Sequence, residues 1–289
     1  MCLMARKTPS RPRLSEQETR TRLLDLASAT LAEQGLTVGL DAIRMEKLIG
    51  EAGVSRASAY RCWPHREDFL SDALVATLRQ TTLLPEGESE IVRLVQVLEQ
   101  HRSGLASEQG RRDLVVEALR VSLDADLRRL LASPRWRFFM ALSATHQTLP
   151  DEQLRATVAT ALAELETAFE TRRAEVYGGL LELIGYRQRE PWSGHEGLLA
   201  LAQQTGLVMR GAISRALVDP DWLDRRRALR LFGSRREADW SQPEIALCQA
   251  LLGHLEPDPD VVWDEAQIAA AERRFTELAH SLGTEVQLG

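Results

Sequence analysis

The chain is poor in cysteine, in aromatic residues and in long apolar runs. Its 289 residues include three cysteines, Cys2, Cys62 and Cys248, which are odd in number and scattered. This usage excludes a disulfide framework and zinc-ligand spacing, and it indicates a reducing compartment. No apolar run approaches the roughly 20 residues of a membrane span, and the N-terminus lacks an apolar signal core. These absences predict a cytoplasmic protein without a membrane segment.

The sequence also lacks the common signatures of catalysis. It contains no Gly-rich phosphate loop, no Gly-x-Ser-x-Gly elbow and no paired-carboxylate motif. The six histidines show no paired ligand spacing. Cys62 and Cys248 are interpreted as small buried hydrophobes, because a redox-sensing thiol needs exposure and a lowered pKa. We therefore expect a protein that is not an enzyme and that holds no cofactor and no metal.

Helix-forming residues dominate what is present. Ala, Leu, Arg and Glu are abundant, no alternating strand pattern of convincing length appears, and prolines separate the helical patterns. The sequence therefore predicts an all-α fold. The expected helices cover residues 15–34, a pair within 44–63, 66–80, 89–106, 109–132, 135–147, 151–187, 195–218, 221–231, 243–255 and 263–282.

Charge is unevenly placed along the chain. The net charge is −6, yet residues 1–22 carry six basic and two acidic side chains. We expect residues 1–14 to form a disordered basic arm, which either reaches a DNA minor groove or is a tail without a role. A basic end on an acidic body suits a small DNA-binding head, over 15–83, on a regulatory body, over 84–289.

The most informative segment is Ala52–Arg66. Gly53 can adopt a left-handed conformation that ends a first short helix. Ser55 is a good N-cap for a second helix that runs to about Cys62, and Pro64 stops that helix. Two short helices around a glycine corner predict a helix-turn-helix, whose second helix enters the major groove of DNA. The apolar residues of the first helix recur at helical spacing and are Met45, Leu48, Ile49 and Ala52.

Over about residues 15–80 the chain resembles the TetR-type transcriptional regulators. The family pattern has a short helix, Ala-Gly-Val-Ser, a pair of small residues, a Tyr, an aromatic residue and a Lys. The matching positions here are Ala52-Gly53-Val54-Ser55, Ala57-Ser58, Tyr60, Trp63 and, in place of the Lys, Arg66. The family's first helix is matched in order by Arg20, Leu23, Leu24, Ala27, Leu31 and Gly35. Three departures are Arg44 for a usual Thr, Ala57 for a commoner Gly and Trp63 for a usual Phe.

The resemblance implies an N-terminal three-helix helix-turn-helix domain and an enlarged C-terminal helical ligand-binding and dimerisation domain. The candidate DNA contacts are Arg44, Ser55, Arg56, Ala57, Ser58, Tyr60, Arg61, His65 and Arg66. Arg56, Ala57, Ser58 and Arg61 are the candidate base readers, since arginine can bond guanine and the alanine methyl can touch thymine. The others suit phosphate contacts, which set register without reading sequence. The alternative is a solvated surface helix.

The resemblance also implies a ligand pocket in the body of the protein. Aromatic residues, methionines and a few polar anchors are typical of such walls. The candidates are Trp136, Phe139, Met140, His146, Tyr177, Trp192, Met209 and Arg210. The alternative for each is ordinary core or surface packing.

Two helical segments carry apolar stripes that could form a homodimer interface. Gly206 and Gly211 in 195–218 would permit close helix approach, and Ile268 belongs to a clean stripe in 263–282. TetR-like proteins dimerise through two helices from each subunit near the C-terminus. The alternative is that both stripes face the core of their own chain.

The leading hypothesis is therefore a homodimeric, ligand-responsive transcription factor, acting as a repressor that a small molecule releases from a palindromic operator. Its partners would be double-stranded DNA, an unknown small-molecule effector and a second copy of the chain, with no membrane. Two alternatives from other classes remain open. One is an all-helical enzyme with a vestigial DNA-binding head, and the other is a helical protein-interaction module.

Overall fold

A computed structural model shows how much of this expected organisation the chain adopts. It describes residues 14–34, 43–81, 83, 88–149 and 151–288. Within these ranges the chain is mostly helical, which confirms the predicted all-α character. The basic arm expected over residues 1–14 lies, except for its last residue, outside the described ranges.

Eleven α-helices and four short strands are found in the described residues. The helices are α1 Glu16–Gln34, α2 Met45–Ala52, α3 Arg56–Cys62, α4 Arg66–Gln80, α5 Glu88–His101, α6 Glu108–Ala132, α7 Pro134–Thr145, α8 Glu152–Ile184, α9 Gly194–Val218, α10 Gln242–Leu252 and α11 Glu265–Leu288. The strands are β1 Tyr186–Gln188, β2 Arg227–Leu229, β3 Ala238–Trp240 and β4 Leu255–Pro257.

The helices and strands are grouped in two compact units. Unit 1 contains the described residues of Met1–Thr81 together with Ala141–Leu162. Unit 2 contains those of Thr82–Met140 and Ala163–Gly289. The functional division into a head over 15–83 and a body over 84–289 stays a prediction.

In unit 1, α1 packs against α2, α3 and α4. Leu23, Ala27 and Leu31 recur every four residues on α1 and are buried, so they form one apolar stripe. The helix begins with a capping box, because the Glu18 N–H donates to Ser15 Oγ and the Ser15 N–H donates to Glu18 Oε2. The backbone hydrogen bond from Ser15, followed by the side-chain hydrogen bond, lowers the pKa of Glu18.

In unit 2, α6 is the central helix and packs against α5, α9 and α10. One apolar cluster joins α5, α6 and the end of α8, and Trp263 and Ile268 pack against it. Burial of this apolar surface stabilises the unit. The buried members of the cluster are Leu94, Val97, Leu98, Leu105, Leu114 and Leu183.

The strands were not expected from the sequence. β1 pairs with β4, and β2 pairs with β3, both antiparallel. The helix predicted over 221–231 is wrong, because a 3₁₀ turn over Pro220–Asp224 is followed there by β2. Arg226 forms ion pairs with two carboxylates, one on α6 and one on α10. These tertiary contacts override the local helix propensity. The helix predicted to end at 187 ends at Ile184, where Gly185 takes a φ of +62°.

Candidate functional site

Helices α2 and α3 are joined by a tight corner at Gly53. Gly53 has φ 64° and ψ 29°, a left-handed conformation that favours glycine. The Val54 N–H donates to the Ile49 carbonyl at 3.2 Å, and the Gly53 N–H donates to the Gly50 carbonyl at 3.2 Å. This hydrogen-bond pair is the Schellman arrangement that ends helices. Val54 is buried, so the corner is fixed to the core of unit 1.

Helix α3 begins at the predicted serine cap. Ser55 Oγ accepts a hydrogen bond from the Ser58 N–H at 3.1 Å. On the inner side of the helix Ala59 and Cys62 are buried. The outward residues are exposed, except for Ser58, which is half-buried; they are Ser55, Arg56, Ala57, Tyr60 and Arg61. One face of α3 is therefore available to a partner.

Trp63 anchors the end of α3. Its side chain is fully buried, and its Nε1–H donates to Asp72 Oδ2 at 2.8 Å. The same carboxylate oxygen accepts from Arg20 at 2.8 Å, and the Arg20 guanidinium lies 4.9 Å from the indole centroid. The ring also meets Phe69 edge-on at 5.0 Å. Contacts from α1 and α4 thus set the direction in which α3 points.

Glu46 on α2 links two of the exposed residues of α3. Its Oε2 lies 2.8 Å from Arg56 Nη2, and its Oε1 accepts a hydrogen bond from the Tyr60 hydroxyl at 2.8 Å. This hydrogen bond, followed by the negative charge of Glu46, raises the pKa of Tyr60. Glu46 is not among the site residues predicted from the sequence. Its place between the apolar residues Met45 and Leu48 marks only a polar position on α2 and gives no signal for its partners.

The remaining candidate DNA contacts lie at the ends of α2 and α4. Arg44 immediately precedes α2, and its side chain is exposed. His65 occupies the N-cap position of α4 without a side-chain cap bond, and Arg66 is the first residue of that helix. Both are exposed. All nine candidates belong to unit 1, within 23 residues of chain around α3.

The two described cysteines are packing residues. Cys62 Sγ contacts the Glu16 carbonyl oxygen at 3.7 Å, and burial raises the pKa of its thiol. Burial also raises the pKa of Cys248, which is completely enclosed. A raised pKa lowers the thiolate fraction, so neither thiol is primed for redox chemistry.

Unit 2 encloses an apolar cavity of about 60 Å³. Eight leucines and Ile184 line it, and Ser122, Asp126 and Tyr177 are its polar neighbours. The leucines are Leu94, Leu119, Leu123, Leu180, Leu181, Leu201, Leu251 and Leu255. One water molecule needs about 10–15 Å³ of cavity space, so this cavity admits a small group of several heavy atoms.

Buried charges adjoin this cavity. Arg173 Nη2 lies 2.5 Å from Asp126 Oδ2, with both side chains almost fully buried, and Arg129 binds the other oxygen of Asp126. Tyr177 hydrogen-bonds to Thr205 at 3.0 Å. A buried pair of this kind offsets its desolvation only with good geometry and further hydrogen bonds. The cavity therefore combines a wide apolar wall with one polar side.

The eight candidate pocket residues are spread over several places. Tyr177 lines the cavity. A separate space of about 10 Å³, too small for a ligand, is lined by Trp136, Phe139 and Arg210. The centroids of the two aromatic rings lie 5.3 Å apart, and Arg210 pairs with Glu166 at 2.6 Å. Those three side chains pack as a core.

The other four candidate pocket residues line neither space. Met209 is buried, and Met140 is half-buried. Trp192 is exposed, and its ring centroid lies 5.5 Å from that of His254. His146 belongs to unit 1, where its Nδ1 lies 3.0 Å from the Ser143 carbonyl oxygen.

The two candidate dimer helices differ in exposure. On α11, Ile268 packs against the cluster of unit 2 and Ala271 is buried, so the described part of that stripe faces its own unit. Helix α9 also exposes large apolar side chains: Leu207 is 64 % exposed, Leu217 is 51 % exposed and Val218 is 85 % exposed. These three side chains are apolar surface on α9 that a partner could cover.

The described residues contain neither a metal site nor a helix that could span a membrane. Among the described residues no group of three or more His, Cys, Asp or Glu side chains could hold a metal ion. No helix in the described ranges combines the length and the apolar character that crossing a membrane requires. Comparisons with protein-family models, with curated proteins and with solved structures find no match.

Proposed function

We propose that the protein is a ligand-responsive DNA-binding transcriptional regulator of the TetR type. It acts as a homodimeric repressor that a small molecule releases from a palindromic operator. The observation that carries this proposal is the exposed face of α3, which presents Arg56, Tyr60 and Arg61 while the buried Trp63 holds the helix. Helices α2 and α3 then serve as the helix-turn-helix of an N-terminal DNA-binding domain, and residues 84–289 serve as the regulatory domain.

In this proposal α3 enters the major groove. Arg56 and Arg61 bond guanine edges through their two-pronged guanidinium groups, and the Ala57 methyl meets a thymine methyl. Ser58 is a further base contact. The residues around them bind phosphates and set the register: Arg44, Ser55, Tyr60, His65 and Arg66. The backbone N–H groups at the start of α4 add to the attraction for phosphate.

DNA must displace Glu46 to reach two of these side chains. In the free protein the carboxylate of Glu46 holds Arg56 and the Tyr60 hydroxyl, each at 2.8 Å. A phosphate or a base acceptor competes for the same donors. Because the Arg56 side chain is 76 % exposed, the ion pair is screened by water and is readily exchanged.

A second copy of the chain is the proposed partner of α9. Leu207, Leu217 and Val218 would be covered in a homodimer around a two-fold axis. The two α3 helices would then contact half-sites about one helical turn, ~34 Å, apart on a pseudo-palindromic operator. Burial of apolar surface is the expected driving force.

The apolar cavity of unit 2 is the proposed effector site. Its leucine-rich wall suits a small, mostly apolar molecule. Such a ligand lowers DNA affinity only if it binds more tightly to the DNA-free state, with a coupling free energy of about 1–3 kcal/mol.

Gel-shift titration of fragments of the source genome tests DNA recognition. Arg56→Ala should relax the preference for the bound fragment, whereas Arg66→Ala should weaken binding to all fragments alike. Arg79→Ala is the matched control, because Arg79 is an exposed arginine at the other end of α4. Binding that neither Arg56→Ala nor Arg66→Ala changes would reject α3 as the DNA-binding face.

Sedimentation of the full chain tests the dimer. The wild-type protein should sediment as a dimer, and a Leu207→Glu and Val218→Glu double variant should sediment as a monomer because buried charges are costly. Glu substitutions at Gln153 and Gln249, which are polar and exposed on α8 and α10, are the control for added charge away from this face. A monomeric wild-type chain would contradict the proposed homodimer.

A further inference from the structure

A strongly basic hairpin lies in unit 2, far along the chain from α3. We define the basic hairpin as residues 225–240, which contain β2, β3 and the loop between them. It holds six arginines, no lysine and two acidic residues, in a chain whose net charge is −6. This concentration of positive charge has no role in the function proposed above.

Two of the six arginines are structural. Arg226 lies 2.9 Å from Asp124 on α6 and 2.9 Å from Glu244 on α10, and its side chain is mostly covered. Arg225 pairs with Asp219 at 3.1 Å. The ion pairs of Arg226 attach the base of the hairpin to α6 and α10, and that of Arg225 joins it to the residue after α9.

The other four arginines face solvent. Arg230 has an acidic neighbour, Glu237, at the long distance of 3.9 Å, and its side chain is 67 % exposed. Arg227, Arg235 and Arg236 are also exposed. Among the described residues, no carboxylate lies within ion-pair distance of Arg227 or Arg235. Exposed like charges repel one another, so an anionic partner would be favoured here.

The loop that carries these residues is firmly held. Arg112 Nε donates to the Phe232 carbonyl at 2.6 Å. Asp113 Oδ1 accepts from the Ser234 hydroxyl and from the Arg235 N–H, each at 2.9 Å. Phe232 has φ 57°, a left-handed conformation that is strained for a residue with a side chain. The surrounding contacts therefore impose one loop conformation and limit the entropy lost when a partner binds.

The chemistry of the basic hairpin identifies the class of partner. Arginine forks match the geometry of phosphate oxygens, and four arginines spread over a hairpin suit a chain of phosphates better than a single anion. A membrane-binding surface would add large exposed apolar residues beside the charges. Within the described residues those side chains lie elsewhere, at Tyr60, Trp192, Leu207, Leu217, Val218 and Val262.

We propose that the basic hairpin binds the phosphate backbone of duplex DNA through Arg227, Arg230, Arg235 and Arg236. This is a second DNA contact, separate from α3 and indifferent to base sequence. It would raise the affinity for any duplex and let unit 2 hold DNA by electrostatic attraction.

Fluorescence anisotropy with the full chain and a labelled duplex of about 30 random base pairs tests this assignment. The variant is the triple substitution Arg227→Gln, Arg230→Gln and Arg235→Gln. The matched control is Arg93→Gln, Arg137→Gln and Arg274→Gln, which removes the same charge from exposed arginines elsewhere in unit 2.

The slope of log Kd against log salt should fall by about three for the hairpin variant, since each lost phosphate contact contributes about one. Its affinity at low salt should fall by about tenfold or more, and the control should change much less. Lysines in place of the three arginines should keep most of the slope. Equal effects of the hairpin variant and the control would overturn the assignment.

The same titrations separate this inference from the function proposed for α3. Loss of binding in the hairpin variant, with binding unchanged in both Arg56→Ala and Arg66→Ala, would support the basic hairpin and reject α3. The reverse pattern would reject the basic hairpin and leave α3 in place. A wild-type chain that does not bind duplex DNA would reject both. Binding to vesicles rich in phosphatidylserine that the hairpin variant loses, with DNA binding intact, would assign the surface to membranes and overturn the proposal.

Discussion

Glu46 forms an ion pair with Arg56 across the two helices that meet at Gly53, with 2.8 Å between Oε2 and Nη2. The carboxylate places a negative charge on the face of unit 1 that is proposed to meet DNA. It also occupies Arg56, one of the arginines proposed to read bases. Under the proposed function, Glu46 is therefore an internal competitor of the nucleic acid.

Removal of the Glu46 charge should strengthen DNA binding. Glu46→Gln frees Arg56 and removes a repulsion with phosphate, so the affinity for a random duplex should rise by about three- to tenfold at low salt. The measurement is fluorescence anisotropy. Glu51→Gln is the matched control, because both glutamates are on α2 and both side chains are 47 % exposed. An equal rise in both variants would show only a general charge effect.

The alkaline titration of tyrosine should report the same contact. Glu46 raises the pKa of Tyr60 because the carboxylate accepts its proton in a hydrogen bond and opposes phenolate formation. In Glu46→Gln, one of the three tyrosines should therefore ionise at lower pH than in the wild-type protein. Ultraviolet difference spectroscopy measures this shift, and Tyr60→Phe identifies the residue. Superimposable curves for the wild type and Glu46→Gln would contradict the contact.

Loss of the Ser55 cap should destabilise unit 1. Ser55→Ala leaves the Ser58 N–H without its side-chain acceptor, so the free energy of unfolding should fall by about 1 kcal/mol. Ser55→Asp keeps an acceptor and should restore most of it. Urea denaturation of the full chain provides the measurement. No difference between the Ala and Asp variants would mean that the cap has no energetic role.

The Asp72 carboxylate should be important for the position of α3. Asp72→Ala leaves the buried Trp63 N–H without an acceptor and removes the partner of Arg20, which should cost about 1–3 kcal/mol. Gln80→Ala, which removes an exposed hydrogen bond to Asp25 on α1, is the control and should cost far less. Thermal denaturation distinguishes them, and equal Tm values would reject the anchor.

The buried pair of Arg173 and Asp126 should be costly to break. Arg173→Met removes the buried ion-pair partner of the Asp126 carboxylate and should destabilise the protein by about 3–5 kcal/mol. A second change, Asp126→Leu, should recover part of that loss because it removes the buried carboxylate, while Arg129, whose side chain is 26 % exposed, keeps contact with solvent. Chemical denaturation of both variants measures this, and a double variant less stable than Arg173→Met would contradict the argument.

Local features of the fold could be predicted from the sequence. The capping box of Ser15 and Glu18, the left-handed Gly53 and the Ser55 cap each depend on a few neighbouring residues. Their backbone requirements are therefore visible in the residue types themselves. The helix boundaries at Ala132 and Val218 were predicted for the same reason.

Long-range contacts could not be predicted in this way. Glu46 is an ordinary polar residue on α2 until α3 is packed against it. The sequence of 225–231 predicts a helix, but ion pairs from Arg226 to α6 and α10 hold this segment in a hairpin. The cavity residues come from several helices, and only their packing brings Tyr177 to its wall.

Whether α3 reads DNA is best measured by selecting bound duplexes from a randomised DNA library with the wild-type chain and with Arg56→Ala. If α3 of a homodimer reads DNA, the wild type enriches an inverted repeat with half-sites about one helical turn apart. Arg56→Ala should lose the preference at one position in each half-site and keep the rest. No enriched sequence, or an identical preference in the two proteins, would contradict the claim that α3 reads DNA.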